Sequence, residues 1–124
     1  MSAPVVLIVD DEKYIRSILR AYLEDEGFEV LIASDAEDAM LVLGQKRADI
    51  GIVDIRLPGA SGDDFIRRAH MSFPDMKFIV HTGSPSYQIN DALRSAGVRQ
   101  KDVIQKPLID MAVLSSAIKT KLGV

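Results

Sequence analysis

Acidic side chains stand directly after two apolar runs, where they could act together in one site. Asp10 and Asp11 follow Val5–Val9, and Asp54 follows Ile50–Val53. Taken singly, an aspartate after a strand commonly caps the next helix or lies in a turn. Three carboxylates within about 4 to 6 Å would repel one another by several kcal/mol per pair at an effective dielectric of about 20. If the three converge, a positive charge must compensate them.

The residues that could compensate these acids indicate phosphoryl chemistry. Lys106 follows a later apolar run, and a site of oxygen ligands without His or Cys selects Mg²⁺ over zinc or copper. In such a site one carboxylate can attack phosphorus while a cation and a lysine neutralise the phosphoryl oxygens. Gly83, beside Thr82, leaves room for phosphoryl oxygens to approach the backbone.

Apolar runs and amphipathic stripes alternate five times along the chain. This order predicts a doubly wound α/β fold with five parallel strands between helical layers. Ligands of such sheets bind beyond the carboxyl ends of the strands. Asp10, Asp11, Asp54, Thr82 and Lys106 should therefore share one edge. The predicted strands cover residues 5–9, 28–33, 50–53, 78–80 and 102–105, and the helices cover about 14–23, 34–43, 63–71, 85–97 and 110–122.

Local signals predict how several helices begin and end. Gly27 and Gly97 are placed to end the first and fourth helices. Ser34 with Glu37 has the pattern of a capping box, and Ser84 before Pro85 has the pattern of an N-cap followed by a first helical proline.

Other features exclude several competing functions. Residues 1–124 are expected to form a single domain, with 48% hydrophobic and 27% charged residues and no cysteine. The first apolar run is too short for a signal peptide or membrane span, so a cytoplasmic protein is expected. No basic run and no Trp are present, which disfavours direct nucleic-acid binding. A metal or catalytic role for His81 and His70 is not favoured, because neither has a second His or carboxylate at ligand spacing. His81, inside a predicted strand, is interpreted as a packed side chain.

Four motifs together resemble the receiver domain of two-component response regulators, with its flavodoxin-like fold. They are Val9-Asp10-Asp11-Glu12, Asp54 with Pro58-Gly59, Thr82-Gly83 and Lys106-Pro107. The resemblance spans essentially the whole chain.

The resemblance implies a role for each site residue. Asp54 would be the phosphoacceptor, and Asp11, Asp54 and the backbone carbonyl of Arg56 would bind Mg²⁺ directly. Asp10 would act mostly through water. Thr82 and Lys106 would contact the phosphoryl group, and the bond between Lys106 and Pro107 would be cis.

The resemblance also implies partners. A sensor histidine kinase, a phosphotransfer protein or a small phosphodonor would supply the phosphoryl group, and the chain would catalyse only its own phosphotransfer and dephosphorylation. The face of helix four, strand five and helix five would bind a second copy or an effector. This face is expected to be basic, since residues 84–124 carry 6 Lys and Arg against 3 Asp and Glu.

One departure from the family pattern affects how phosphorylation is expected to change the partner-binding face. Such receivers usually have Tyr or Phe three residues before the lysine, where this chain has Val103. The output is therefore expected to pass through Thr82, residues 83–87 and the fourth helix.

Two other classes stay open from the residues alone. An aspartyl phosphohydrolase would usually have a second Asp two residues after the nucleophile, where this chain has Arg56. A receiver-like adaptor that is never phosphorylated would not need Asp10, Asp11, Asp54, Thr82 and Lys106 together. The motifs specify neither the cognate kinase nor the output.

Overall fold

The structure, a computed structural model, describes residues 3–124 and contains five strands and five α-helices within them. The strands are β1 (Val5–Val9), β2 (Glu29–Ala33), β3 (Ile50–Val53), β4 (Lys77–Thr82) and β5 (Val103–Gln105). The helices are α1 (Lys13–Asp25), α2 (Ala36–Gln45), α3 (Gly62–Ser72), α4 (Asp91–Ser95) and α5 (Met111–Leu122), and a 3₁₀ turn (Gln100–Asp102) precedes β5. All pairings are parallel, in the order β2-β1-β3-β4-β5, which confirms the predicted fold.

Helices cover both faces of the sheet, and β1 and β3 at its centre accordingly consist only of apolar residues and one glycine. Alternate residues of β1 enter two different cores. Leu7 and Val9 pack with residues of α2, α3 and α4, whereas Val6 and Ile8 pack with residues of α1 and α5. Within residues 3–124, no helix is long and apolar enough to cross a membrane.

The start of the fourth helix differs from the prediction. α4 begins at Asp91, and the side chain of Asn90 caps it by accepting from the backbone N–H of Leu93. Ser84 caps no helix of the described residues, and its own N–H donates to Oγ1 of Thr82. Pro85 therefore lies in a turn, and residues 84–90 are not helical. The predicted end is confirmed at Gly97, whose φ of 87° is left-handed.

Two smaller predictions were also wrong. The N-cap of α2 is Asp35, not Ser34, and its carboxylate accepts from the N–H of Asp38. An amphipathic helix over residues 14–23 predicts that its apolar stripe is buried, but in α1 Tyr14 is 74% and Ile18 37% exposed.

Candidate functional site

Continuation of the parallel ladder places two carboxylates side by side at the carboxyl edge of the sheet. The N–H of Asp10 donates to the carbonyl of Ala33 at 3.1 Å, and the N–H of Asp54 donates to the carbonyl of Val9 at 2.9 Å. Both aspartates lie one residue beyond their strands and remain buried, with 2% and 5% of their surfaces exposed. The apolar strands therefore hold these two acids in a fixed register.

Asp10 is anchored by local contacts. Its Oδ1 accepts from the N–H of Glu12 at 2.9 Å, and its carbonyl accepts from Nη1 of Arg16 at 2.8 Å. Its Oδ2 is buried and accepts no well-directed hydrogen bond from the described part of the chain, although Nζ of Lys106 lies 2.7 Å away as an ion-pair partner. One buried carboxylate oxygen therefore keeps lone pairs available for a further ligand.

Lys106 reaches the acids from the end of β5. Its N–H donates to the carbonyl of Thr82 at 2.8 Å, and the following bond to Pro107 is cis, as the resemblance implies. Its Nζ lies 3.1 Å from Oδ2 of Asp54 and 3.3 Å from Oε1 of Glu12. Burial disfavours the charged ammonium, but the carboxylates of Asp10 and Asp54 outweigh it and raise the pKa of Lys106.

The carboxylate of Asp54 is held at both oxygens. Its Oδ1 accepts from the N–H of Arg56 at 3.1 Å, and its Oδ2 accepts from Lys106. Burial raises the pKa of Asp54, the two donors only partly oppose this, and the negative charge of Asp10 adds to it. Asp54 is thus an oriented carboxylate that is desolvated and crowded by a second acid.

Four carboxylates converge at this edge. One ligand oxygen from each of Asp10, Asp11, Glu12 and Asp54 lies within 4.8 Å of the other three. Lys106 supplies only one positive charge against them, and every potential ligand atom is oxygen. This donor set, with the buried Oδ2 of Asp10 that only Lys106 approaches among the described residues, fits a hard divalent cation such as Mg²⁺. The carbonyl of Arg56 as a further ligand stays a prediction.

Thr82 lies beside the cluster at the end of β4. It is 1% exposed, and its Oγ1 accepts from the N–H of Ser84 at 3.1 Å. Within residues 3–124 no hydrogen bond joins the Thr82 hydroxyl to Asp54 or to the ammonium of Lys106. The structure thus brings Asp10, Asp11, Asp54 and Lys106 into one cluster, and connects Thr82 to it through the backbone of Lys106.

Two contributors were missed by sequence reasoning. Glu12 joins the acidic cluster and contacts Lys106, although it was interpreted only as part of a motif. Gly62 packs against the backbone behind Asp54, and a Cβ there would lie 2.1 Å from the carbonyl oxygen of Asp54. Glu12 could have been found from its place beside two acids, whereas a tertiary contact such as that of Gly62 leaves no local signal.

His81 is buried in β4, as predicted, and is not part of the acidic cluster. It is 2% exposed, and neither ring nitrogen has a hydrogen-bond partner among residues 3–124. Burial, helped by the nearby charge of Lys106, lowers the pKa of His81 to about 4. The ring is therefore neutral at physiological pH.

Comparison with known proteins assigns this fold to a family. The model of the response regulator receiver domain matches residues 6–119. The chain is 34% identical to the transcriptional regulatory protein AruR of Pseudomonas aeruginosa over 122 residues, which cover 92% of this chain and 48% of AruR. It is also 34% identical to the transcriptional regulatory protein PhoP of Escherichia coli K12 over 102 residues, covering 82% of this chain and 45% of PhoP. The chain therefore spans less than half the length of these curated relatives.

Solved structures agree with the family match. A CheY-like receiver domain protein from Methanospirillum hungatei has a TM-score of 0.84 and 32% identity, with 98% of this chain and 95% of that chain covered. The response regulator TrrA from Thermotoga maritima, crystallised in complex with Mg²⁺-BeF, has a TM-score of 0.81 and 27% identity, with 94% and 97% covered. The chain belongs to the receiver domain family of two-component response regulators.

Proposed function

We propose that this receiver domain is a phosphoacceptor switch in which Asp54 takes up a phosphoryl group in a Mg²⁺-dependent reaction. The donor is a phosphohistidine on a sensor histidine kinase or phosphotransfer protein, or a small phosphodonor. The observation that carries the proposal is the buried Asp54 carboxylate, held by Arg56 and Lys106 beside three further acids. We further propose a cytoplasmic protein in which residues 1–124 form one domain, of which residues 1 and 2 lie outside the described residues.

In the proposed transfer one phosphoryl group passes from the donor to Asp54, and the bond that forms is matched by a bond that breaks. An oxygen of the Asp54 carboxylate forms a bond to phosphorus while the phosphorus–nitrogen bond of the donor breaks. The leaving imidazole nitrogen keeps the bonding electron pair and takes up a proton. The ammonium of Lys106, now 3.1 Å from Asp54, stays beside the phosphoryl oxygens and offsets their charge.

A divalent cation would be held by Asp10, Asp11 and Asp54, together with the carbonyl of Arg56. When bound, Mg²⁺ neutralises charge on the phosphoryl oxygens and on the crowded carboxylates. The Mg²⁺-BeF complex of the similar protein TrrA supports this choice of cation. Glu12, which is exposed and adjacent, is a further candidate to act through a bound water.

Intact mass after incubation with a small phosphodonor tests the proposal. The wild-type chain should gain one phosphoryl group when Mg²⁺ is present and none when the metal is chelated. The Asp54→Asn variant, which keeps nearly the same shape, should gain none. A mass gain in that variant would show that another residue is the nucleophile, and no gain in the wild type would favour a receiver-like adaptor.

The proposed output of phosphorylation is a change of the face formed by α4, β5 and α5. We propose that Thr82 gives up its contact with Ser84 and turns to the phosphoryl group, moving the segment that follows it. Val103 is only partly buried and offers no large ring to move. This face would then bind a second copy or an effector.

Charge on that face is more balanced than the composition indicates. Its basic residues lie on α4, α5 and the stretch between α4 and β5, as predicted, but several have acidic partners. Arg94 pairs with Asp91, and Lys121 pairs with Asp102. A partner would therefore meet chiefly Arg99 and Lys101, which make no ion pair with any residue of the described range.

Amide exchange with and without beryllofluoride and Mg²⁺ tests the output. Changes in protection should occur at residues 82–97 and be lost in Thr82→Ala. Changes confined to the exposed face of α1 would place the output surface elsewhere.

A further inference from the structure

The connection between β4 and α4 is not helical, and hydrogen bonds from side chains of neighbouring elements hold it in place. We call residues 84–90 the β4–α4 segment. On one side Nε2 of Gln105 donates to the carbonyl of Ser84 at 3.0 Å, and Gln100 contacts the backbone of Tyr87 and Ile89 at 3.2 Å. These contacts tie the segment to β5 and the 3₁₀ turn before it.

On the other side a single carboxylate engages the segment twice. The hydroxyl of Tyr87 donates to Oδ1 of Asp63 at 2.8 Å, and Nδ2 of Asn90 donates to Oδ2 of the same residue at 3.1 Å. Hydrogen bonds to a carboxylate are stronger than those between neutral groups. Burial, and then the bond to Asp63, raise the pKa of Tyr87, so the phenol stays protonated and remains a donor.

Asp63 connects this contact to the backbone that carries Asp54. It is the second residue of α3 and follows Gly62, whose N–H donates to the carbonyl of Ile55 at 2.9 Å. Gly62 also packs against the carbonyl of Asp54 so closely that no Cβ could be accommodated. A displacement of the backbone at residues 54–55 must therefore displace the start of α3, and Asp63 with it.

A displacement of the start of α3 would alter the contact of Tyr87, because its hydroxyl is hydrogen-bonded to Asp63. Its ring is partly buried against the core formed by α2, α3 and α4, where Ile89 and Leu93 are 7% and 0% exposed. The ring is thus fixed by packing at one end and by Asp63 at the other. No aromatic side chain is available at position 103 to provide a second link from the site to this face.

We propose that Asp63 is a positioning residue that holds the β4–α4 segment in its resting arrangement, and that phosphorylation of Asp54 releases this hold through the start of α3. The inference rests on the proposed phosphorylation of Asp54 and specifies how it is regulated and read out. Phosphorylation of Asp54 would then act on the β4–α4 segment both through Thr82 and through the start of α3.

Two variants remove the contact from opposite sides. Tyr87→Phe removes the hydroxyl and keeps the ring, whereas Asp63→Ala removes the acceptor of both bonds. In the phosphate-free protein, each should speed amide exchange at residues 84–90 by about tenfold or more, the effect of losing a hydrogen bond to a charged group. The additional change on adding beryllofluoride and Mg²⁺ should shrink several-fold.

The matched control is Asp64→Ala, which removes the neighbouring acid in the same turn of α3. Asp64 pairs with Arg67 at 2.7 Å and is not hydrogen-bonded to the segment, so exchange at residues 84–90 should match the wild type. Mass gain from a small phosphodonor should be unchanged in all three variants.

The outcomes separate this inference from the proposed function. If all variants gain the phosphoryl group but Tyr87→Phe and Asp63→Ala exchange like the wild type, Asp63 does not hold the segment and the inference is wrong. The inference is also wrong if Asp64→Ala has the same effect as Asp63→Ala. If the wild type gains no mass, the proposed function fails, whatever the exchange rates are.

Discussion

One ammonium contacts three carboxylates at the edge of this sheet, and that imbalance governs the chemistry available to each of them. Lys106 pairs with Asp10, Glu12 and Asp54, while Asp11 adds a fourth acid nearby. Burial, and to a lesser extent the charge of Asp10, raises the pKa of Asp54, whereas burial opposes but the two carboxylates raise the pKa of Lys106. The site therefore favours added positive charge, and it keeps its lysine charged throughout the physiological range.

Replacing Lys106 by Met should slow phosphoryl uptake by about 10² to 10³-fold, since a preorganised charge on the transferring oxygens is lost. The rate of mass gain at saturating Mg²⁺ measures this. Lys101→Met, which removes an exposed lysine of the same half of the chain, should keep the wild-type rate. Equal rates in wild type and Lys106→Met would show that the ammonium has no part in the transfer.

His81 should make the protein less stable as the pH falls. Its pKa is about 4 in the folded chain and 6.5 in a free side chain, so protons bind the unfolded state first. The stability that it contributes is complete above pH 6.5 and is lost down to pH 4, by about 3 kcal/mol.

Denaturant unfolding at several pH values tests this for wild type and His81→Leu. The difference between the two curves isolates the histidine, because the carboxylates titrate in both proteins. Parallel curves between pH 6.5 and pH 4 would contradict the assignment of a neutral buried ring.

At the scale of elements, the strand ends could be predicted because a buried apolar run followed by an acid is a local pattern. This pattern marks the ends of β1 and β3 and the convergence of Asp10, Asp11 and Asp54, whereas the other three strands were predicted from their apolar runs alone. The cap of α4 is local, since Asn90 accepts from Leu93 three residues on. The non-helical course of residues 84–90 could not be predicted, because the bonds of Tyr87 and Asn90 to Asp63 join residues 24 and 27 positions apart. The local pattern of Ser84 and Pro85 was outweighed by those tertiary contacts.

Gly62, at the start of α3, packs too tightly behind Asp54 to accept a larger side chain. Gly62→Ala would place its methyl group 2.1 Å from the carbonyl oxygen of Asp54, so the start of α3 must shift. We expect a loss of about 1 to 3 kcal/mol in the free energy of unfolding and slower phosphoryl uptake. Gly44→Ala, in α2 with no atom within 4 Å of the new Cβ, should instead stabilise by about 0.5 to 1 kcal/mol. Equal effects of the two substitutions would show that the contact behind Asp54 is not tight.

At the scale of the whole molecule, the acidic edge links cation binding to folding. The four carboxylates come from two loops that only the folded sheet brings together, so a cation bound there stabilises the native state alone. A Mg²⁺ concentration of about 100 times the dissociation constant should raise the free energy of unfolding by about 2.7 kcal/mol.

Thermal unfolding at increasing Mg²⁺ concentration measures this stabilisation. Asp11→Asn should strongly weaken the stabilisation by Mg²⁺, because Asp11 is a proposed ligand in the acidic cluster. Asp11 is exposed and takes part in none of the ion pairs of the cluster within residues 3–124, so the substitution breaks no such pair. Asp91→Asn, which alters an exposed acid of α4, should leave it unchanged. If Mg²⁺ stabilised both variants equally against thermal unfolding, the stabilisation would be a general effect of ionic strength and would not come from a cation bound at the acidic cluster.

The central claim is that the phosphoryl group is carried by Asp54, and chemical trapping tests it most directly. Hydride reduction converts an acyl phosphate to an alcohol, so a phosphorylated aspartate becomes homoserine, which peptide mass mapping can locate. After incubation with a small phosphodonor and Mg²⁺, we expect homoserine at position 54 and at no other acid. Homoserine at position 10 or 11, or none at all beside a stable mass gain, would contradict the account.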